Sequence, residues 1–261
     1  MFYWVYDIPS WAFCSLVVGA CVAFGVGGLV LTRPLVRRLV GPPPGINDMV
    51  GNVVQAAGAF FGITLGLIAV GAWQTHGETD LRVLREAASL GSLYRDVSTF
   101  SEPQRGELRG LLKEYADYVI DKAWPAQRHG QNVVGGNEIL LRFQNRLMAV
   151  EPVTEVQKIT LQEAFSQYNE LAAARRMRLH ATTSGMPGMI WFVVFAGAAA
   201  TLMMTWLLVC ERRVAELLLV ALLSVLIGLI IFLTAAMDNP FRGEFSVGPD
   251  AFVSVRDQLM N

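Results

Sequence analysis

Four windows of this chain contain no Asp, Glu, Lys, Arg or His: residues 11–31, 50–75, 189–209 and 217–237. Each has the roughly 20 residues that a helix needs to cross about 30 Å of hydrocarbon. The fourth holds fourteen Leu, Ile, Val or Phe residues. At roughly −0.3 to −0.6 kcal/mol apiece near the centre of a span, they total about −4 to −8 kcal/mol. A central Asp would cost about +3 kcal/mol and remove about half of that, so Asp238 belongs at the end of this segment. The predicted fold class is therefore an all-α membrane protein with four transmembrane helices. Composition agrees: 53% of the chain is hydrophobic and 16% charged, against roughly 25% charged in an ordinary soluble domain. The first window lacks the features of a cleaved signal peptide. No Lys or Arg precedes it, Asp7 does, and no A-x-A site follows; it reads as an uncleaved first span.

The spans divide the chain. Residues 1–75 carry spans one and two with a Pro-rich connection, TRPLVRRLVGPPPGIND, in which Pro42, Pro43 and Pro44 break any helix. Residues 76–187 form an extramembrane helical domain inserted between the second and third spans, with 14 Lys/Arg against 14 Asp/Glu. Residues 188–238 carry spans three and four, joined by the short CERRVAE. Residues 239–261 make a collar and tail. Within the helical domain a first helix is expected over about 78–100. A second opens at Ser101 and Pro103 and is ended by Pro125. A third follows Gly135 and Gly136. A fourth is announced by the capping box of Thr154 and Gln157. No period-2 strand segment or internal repeat is present.

Several chemistries lack their residues. His76, His129 and His180 are isolated, so no metal site is expected. Cys14, Cys21 and Cys210 show no C-x-x-C spacing and suit small apolar filling. There is no phosphate-binding loop, dinucleotide fingerprint or nucleophile elbow, so no catalytic residues and no cofactor are expected. Glu107, Glu114, Asp117 and Asp121 fall near one helical face, most simply a solvated one. Net charge is −1, which gives no field to attract nucleic acid. The spans offer only Asn52, Gln55, Thr64, Thr201, Thr205, Ser224 and Thr234 as polar groups. That favours passive permeation or a structural role over ion-coupled transport.

The second span, VGNVVQAAGAFFGITLGLIAVGAWQT, contains Gly58, Gly62 and Gly66 at four-residue spacing. They share a face with Asn52, Gln55, Ala59 and Ala69, a pattern that lets another helix approach closely. A second face holds Phe60, Thr64, Leu67 and Gly71. Lipid contact, bundle core and an apolar pore lining that gates by dewetting all fit it. In the helical domain, Glu86 sits among small apolar residues, and Arg175 and Arg178 lie on the helix that feeds the third span. An interhelix ion pair between Glu86 and one of these arginines is one reading; independent solvated charges are the other. At the end of the fourth span, Pro240 forces the chain out of helix and Gly243 lets it turn. Residues 247–259 are expected to fold back on the helical domain, with Asp238 or Arg242 tying the two together.

Several stretches together carry a resemblance. They are Asn47-Asp48, F-x-G-I-T-L-G-L at 60–67, R-E-A-A-x-L-x-x-L-Y-R-D at 85–96, Y-x-x-Y-V-I-x-x-A-W-P at 115–125, A-R-R-x-R-L at 174–179 and D-N-P-F-R-G-E-F at 238–245. The chain is similar to the bestrophin-like domain family of bacterial membrane proteins. True bestrophins are pentameric anion channels whose second span lines the pore with an apolar, aromatic-rich neck. The resemblance therefore implies a homo-oligomer in the bilayer, pentameric by analogy, that passes small inorganic ions. Phe60 or Phe61, with Thr64 and Leu67, would occupy the neck. The alternative is a non-conducting membrane scaffold or sensor whose helical domain binds a partner. The acidic calcium clasp of animal bestrophins is absent, so no calcium gating is expected. The expected location is the plasma (inner) membrane, with multiple passes. Arg33, Arg37, Arg38, Arg212 and Arg213 lie in the two short connections, which by the positive-inside rule face the cytoplasm. That places the helical domain extracytoplasmically, opposite to its side in bestrophins.

Overall fold

The computed structural model describes residues 3–39, 46–183, 185–208 and 212–260. The Pro42–Pro44 turn and Cys210 lie outside them. The chain forms two compact units, Met1–Gln74 with Met186–Asp238, and Thr75–Gly185 with Asn239–Asn261. Among the described residues there is no strand. Among the same residues, four helices are long and apolar enough to cross a membrane: Ser10–Val36, Asn47–Val97, Gly188–Thr205 and Arg213–Asp238.

The first unit contains α1 (Ser10–Leu39), the N-terminal part of α2 (Ile46–Val97), α7 (Gly188–Thr205) and α8 (Arg213–Asp238). A short 3-10 turn at Tyr3–Tyr6 precedes α1, and the Tyr6 hydroxyl donates to the carbonyl of Ala235 at 2.8 Å. α1 lies along α8. Phe13 meets Phe232 edge-on at 5.4 Å between ring centroids. A Cβ at Gly228 would stand 2.9 Å from the Val18 Cα. Gly28 admits the Trp206 indole, whose N–H donates to the Gly25 carbonyl at 2.9 Å, and Gly25 leaves room for the Ser224 hydroxyl of α8. The core of this unit is Leu65, Val194, Ala198, Leu202, Ile227 and Ile231. α1 runs past the expected end of its span, through Arg33 and Pro34. In that last stretch the Thr32 hydroxyl donates to the Gly28 carbonyl at 2.7 Å, and Arg33 pairs with Glu216 at the start of α8.

The second unit contains the rest of α2, then α3 (Gln104–Tyr118), a π-helical turn at Val119–Ala123, α4 (Trp124–Arg128), α5 (Gly135–Met148), α6 (Glu155–Thr182) and α9 (Asp250–Leu259). Two expectations are corrected. The helix expected over 78–100 is the continuation of the second span, because Gly77 lowers helix propensity without stopping a helix and no proline follows until Pro103. α2 is thus one helix of 52 residues, about 78 Å long at 1.5 Å per residue. Nor does Pro125 end the helix before it. The π turn, in which the Trp124 N–H bonds the Val119 carbonyl, places Pro125 in the first turn of α4, where its missing N–H costs little. The capping box is present: Gln157 N donates to Thr154 Oγ1 at 3.2 Å, and Thr154 N to Gln157 Oε1 at 3.4 Å.

The tail belongs to this second unit. Phe241, Val247 and Phe252 enter its core. The Trp124 indole N–H donates to the Val247 carbonyl at 3.2 Å, and its ring lies 5.6 Å from Phe241 and 6.0 Å from Phe252. Gly91 leaves room for Leu259, whose Cδ1 would lie 3.2 Å from a Cβ there. Arg242 donates to the His129 carbonyl at 3.0 Å. Gly243 has φ = 80°, a left-handed conformation that glycine adopts without a steric penalty.

Candidate functional site

Adjacent residues on a helix point 100° apart, and the first half of α2 uses this to present two different surfaces. Phe61, Leu65, Ile68 and Ala72, at spacings of four, three and four, form its inward stripe. Leu65 and Ala72 are buried, and Phe61 and Ile68 pack on the core of α7 and α8 residues. Gly197 of α7 has no side chain because the Phe61 ring fills that space. Phe60 is 75% exposed, Ile63 64% and Leu67 68%, and Trp73 is exposed as well. Only 6% of the most apolar window of α2 is buried, against 33% of that of α8. Of the expected neck residues, Phe61 is therefore committed to its own chain, whereas Phe60, Thr64 and Leu67 face outward. The Thr64 hydroxyl donates to the Phe60 carbonyl at 2.8 Å.

The glycine stripe also faces away from the chain. Nothing among the described residues lies within 4 Å of a Cβ built at Gly58, Gly62 or Gly66. The close helix approaches of this unit occur instead at Gly25, Gly28, Gly197 and Gly228. Sequence reasoning missed these four: none belongs to a G-x-x-x-G repeat, and a single glycine in an apolar span carries no sign of what faces it.

The hydroxyls of the apolar helices are mostly taken by their own backbones. Ser224 donates to Val220 O at 2.7 Å, Thr234 to Ile230 O at 2.8 Å and Thr205 to Leu202 O at 2.6 Å. Asn52 and Gln55 are exposed on α2. At the end of α8, Asp238 accepts the Met186 N–H at 2.6 Å and the Trp191 indole N–H at 3.3 Å. Asp238 thereby ties the end of α8 to the start of α7 and the residues before it, while Arg242 holds the tail.

A second cluster lies inside the helical unit. Glu86 of α2 is fully buried, and Arg178 of α6 is 1% exposed. The pair is bidentate: Arg178 Nε donates to Glu86 Oε2 at 2.6 Å and Nη2 to Oε1 at 3.0 Å. The Tyr115 hydroxyl donates to Glu86 Oε1 at 2.6 Å, and Arg178 Nη1 to Gln127 Oε1 at 2.6 Å. Trp124 and Phe252 flank the guanidinium, their ring centroids 5.3 and 5.9 Å from Cζ. Burial disfavours the charge on Arg178, but the Glu86 carboxylate outweighs it and holds the guanidinium above its ordinary pKa. Burial, then Glu86, pushes the Tyr115 hydroxyl well above its ordinary value. Arg178 takes Glu86, and Arg175 lies half-buried near Gly136. Sealed from solvent on every side, this network is built for holding α2, α3, α4 and α6 together. The carboxylates of α3 instead meet surface arginines: Glu114 pairs with Arg142, and Glu107 lies 3.4 Å from Arg146.

Comparison with known proteins is consistent with this architecture. The family model of the bestrophin-like domain matches residues 15–252. Two crystal structures of a bacterial bestrophin homologue from Klebsiella pneumoniae, each with a point mutation, superpose with TM-scores of 0.71 and 0.68 at 11% identity. They cover 95% of this chain in both cases, and 97% and 99% of their own. A crystal structure of a point variant of a membrane protein gives a TM-score of 0.72 at 11% identity, covering 95% of this chain and 97% of that one. At this identity the likeness is one of fold. No curated protein matches the chain.

Proposed function

The chain belongs to the bestrophin-like domain family, and on that premise we propose that it is an oligomeric ion channel in which copies of α2 surround a path for small inorganic anions. The observation that carries this reading is the outward apolar surface of α2, which is left uncovered among the described residues. Lipid alone would be met by such a surface, but not by a stripe of open glycines, which favours the close approach of a second helix. A ring of apolar side chains from several copies makes a constriction that gates by losing its water. The absence of ionisable residues from the apolar windows suits passive flow rather than coupled transport. The pentameric state follows the family resemblance. The lipid bilayer is the other partner, and all four apolar helices cross it.

The test is ion current through the purified protein in planar bilayers. A silent bilayer at every voltage and salt concentration contradicts the channel and favours a membrane scaffold whose helical unit binds a partner.

Sidedness follows the short connections. The orientation rests on Arg33, Arg37, Arg38, Arg212 and Arg213, whose connections face the cytoplasm under the positive-inside rule, which counts Lys and Arg rather than net charge. The helical unit is then extracytoplasmic, in the plasma (inner) membrane. Gln131→Cys, in protein freed of its native cysteines, is expected to react with a membrane-impermeant thiol reagent in intact cells. Labelling only after lysis would reverse the orientation.

A further inference from the structure

Resting on the channel reading, we propose that the ion path follows a line on α2 drawn through Asn52, Ile63 and Val70, with Ile63 as the constriction, and that Phe60 and Leu67 face the neighbouring copy. The inward stripe of Phe61, Leu65, Ile68 and Ala72 fixes the rotation of the helix in its own chain. At 100° per residue, Asn52, Ile63 and Val70 lie roughly 170–190° from the middle of that stripe. They are the residues turned farthest from the body of the protomer, and all three are exposed. Phe60 lies only about 110° away, on one flank, and Gly62 about 90° away on the other.

The two flanks differ in a way that suits a ring. One is bulky, with Phe60 and Leu67 exposed. The other is bare: among the described residues, nothing stands within 4 Å of a Cβ at Gly58, Gly62 or Gly66. A closed ring of identical subunits pairs one flank of each copy with the opposite flank of the next. Large side chains of one α2 thus fill the space left open by the glycines of another. That packing uses up Phe60 and leaves the central line for the axis. Along this line Ala56 and Ala59 are small, and Ile63 is the first large side chain after Asn52. Asn52 stands about 16 Å from Ile63 at 1.5 Å per residue. Its carboxamide N–H groups offer donors to an anion before it sheds water at the β-branched ring.

The experiment uses full-length protein with Cys14, Cys21 and Cys210 replaced by serine, reconstituted in planar bilayers. Ile63→Ala is expected to raise unitary conductance several-fold. Ile63→Cys is expected to react with a polar thiol reagent and lose its current, while Phe60→Cys stays unmodified. Modification and block at Phe60→Cys with Ile63→Cys untouched would overturn the assignment. If the wild-type protein carries no current, the channel reading fails. Mass measurement of the reagent-treated variants then decides independently which face is wet, and an unreactive Ile63→Cys overturns the proposal.

Discussion

Replacing Arg178 with methionine in the full-length protein is expected to cost about 3–5 kcal/mol of stability, because it leaves a buried carboxylate with no charged partner. Glu86 lies fully buried, and two of the three hydrogen bonds it accepts in the network come from this one guanidinium. Domains of ordinary size are stable by about 5–15 kcal/mol, so much of the folded population is lost. Glu86→Leu alone is expected to be about as severe, for the mirror reason. The double variant leaves only neutral orphans, the Tyr115 hydroxyl and the Gln127 carbonyl, at about 1–3 kcal/mol for each. It should therefore cost about 2–6 kcal/mol, less than the roughly 6–10 kcal/mol of the two singles added together. Thermal unfolding of the four proteins in detergent measures this, and additive effects would contradict a coupled pair.

The second large effect separates two kinds of glycine. Gly228→Leu puts a branched side chain where the Val18 backbone already stands, 2.9 Å from the new Cβ. α1 must move off α8, and overpacking of this kind costs about 1–3 kcal/mol even where the backbone yields. Here it opens the principal helix contact of the unit, so loss of folded protein is the expected outcome. Among the described residues, the Cβ of Gly62→Leu meets nothing within 4 Å. Its protomer should melt like the wild type, yet fail to assemble, because the flank that accepts Phe60 of the next copy is filled. Size-exclusion chromatography with mass detection distinguishes the two. A Gly62→Leu protein that assembles normally would remove the proposed role of the stripe.

The contrast also shows how far sequence alone reaches. Charge-free windows mark apolar helices well, because a bilayer tolerates so few other residues. The Thr154 capping box was readable because its partners are three residues apart. Contacts made across the fold were not. A G-x-x-x-G repeat names a small face but not what packs there, and the helices that approach closely do so at single glycines. Phe60 and Phe61 are alike in composition and 100° apart in direction. Only the packing of α7 separates them. Likewise Arg175, Arg176 and Arg178 sit within four residues, and only the phase of α6 against α2 selects Arg178 for Glu86. The π turn before Pro125 carries no local signature, so the sequence does not distinguish a proline that begins a helical segment from one that ends it.

The central claim is that copies of this chain enclose a path for anions, and current under a salt gradient tests it most directly. Purified protein in a planar bilayer, with unequal chloride on the two sides, should pass current whose reversal potential lies near the chloride equilibrium potential. A reversal potential near that of the cation would contradict anion passage, and a bilayer that stays silent would contradict the channel itself.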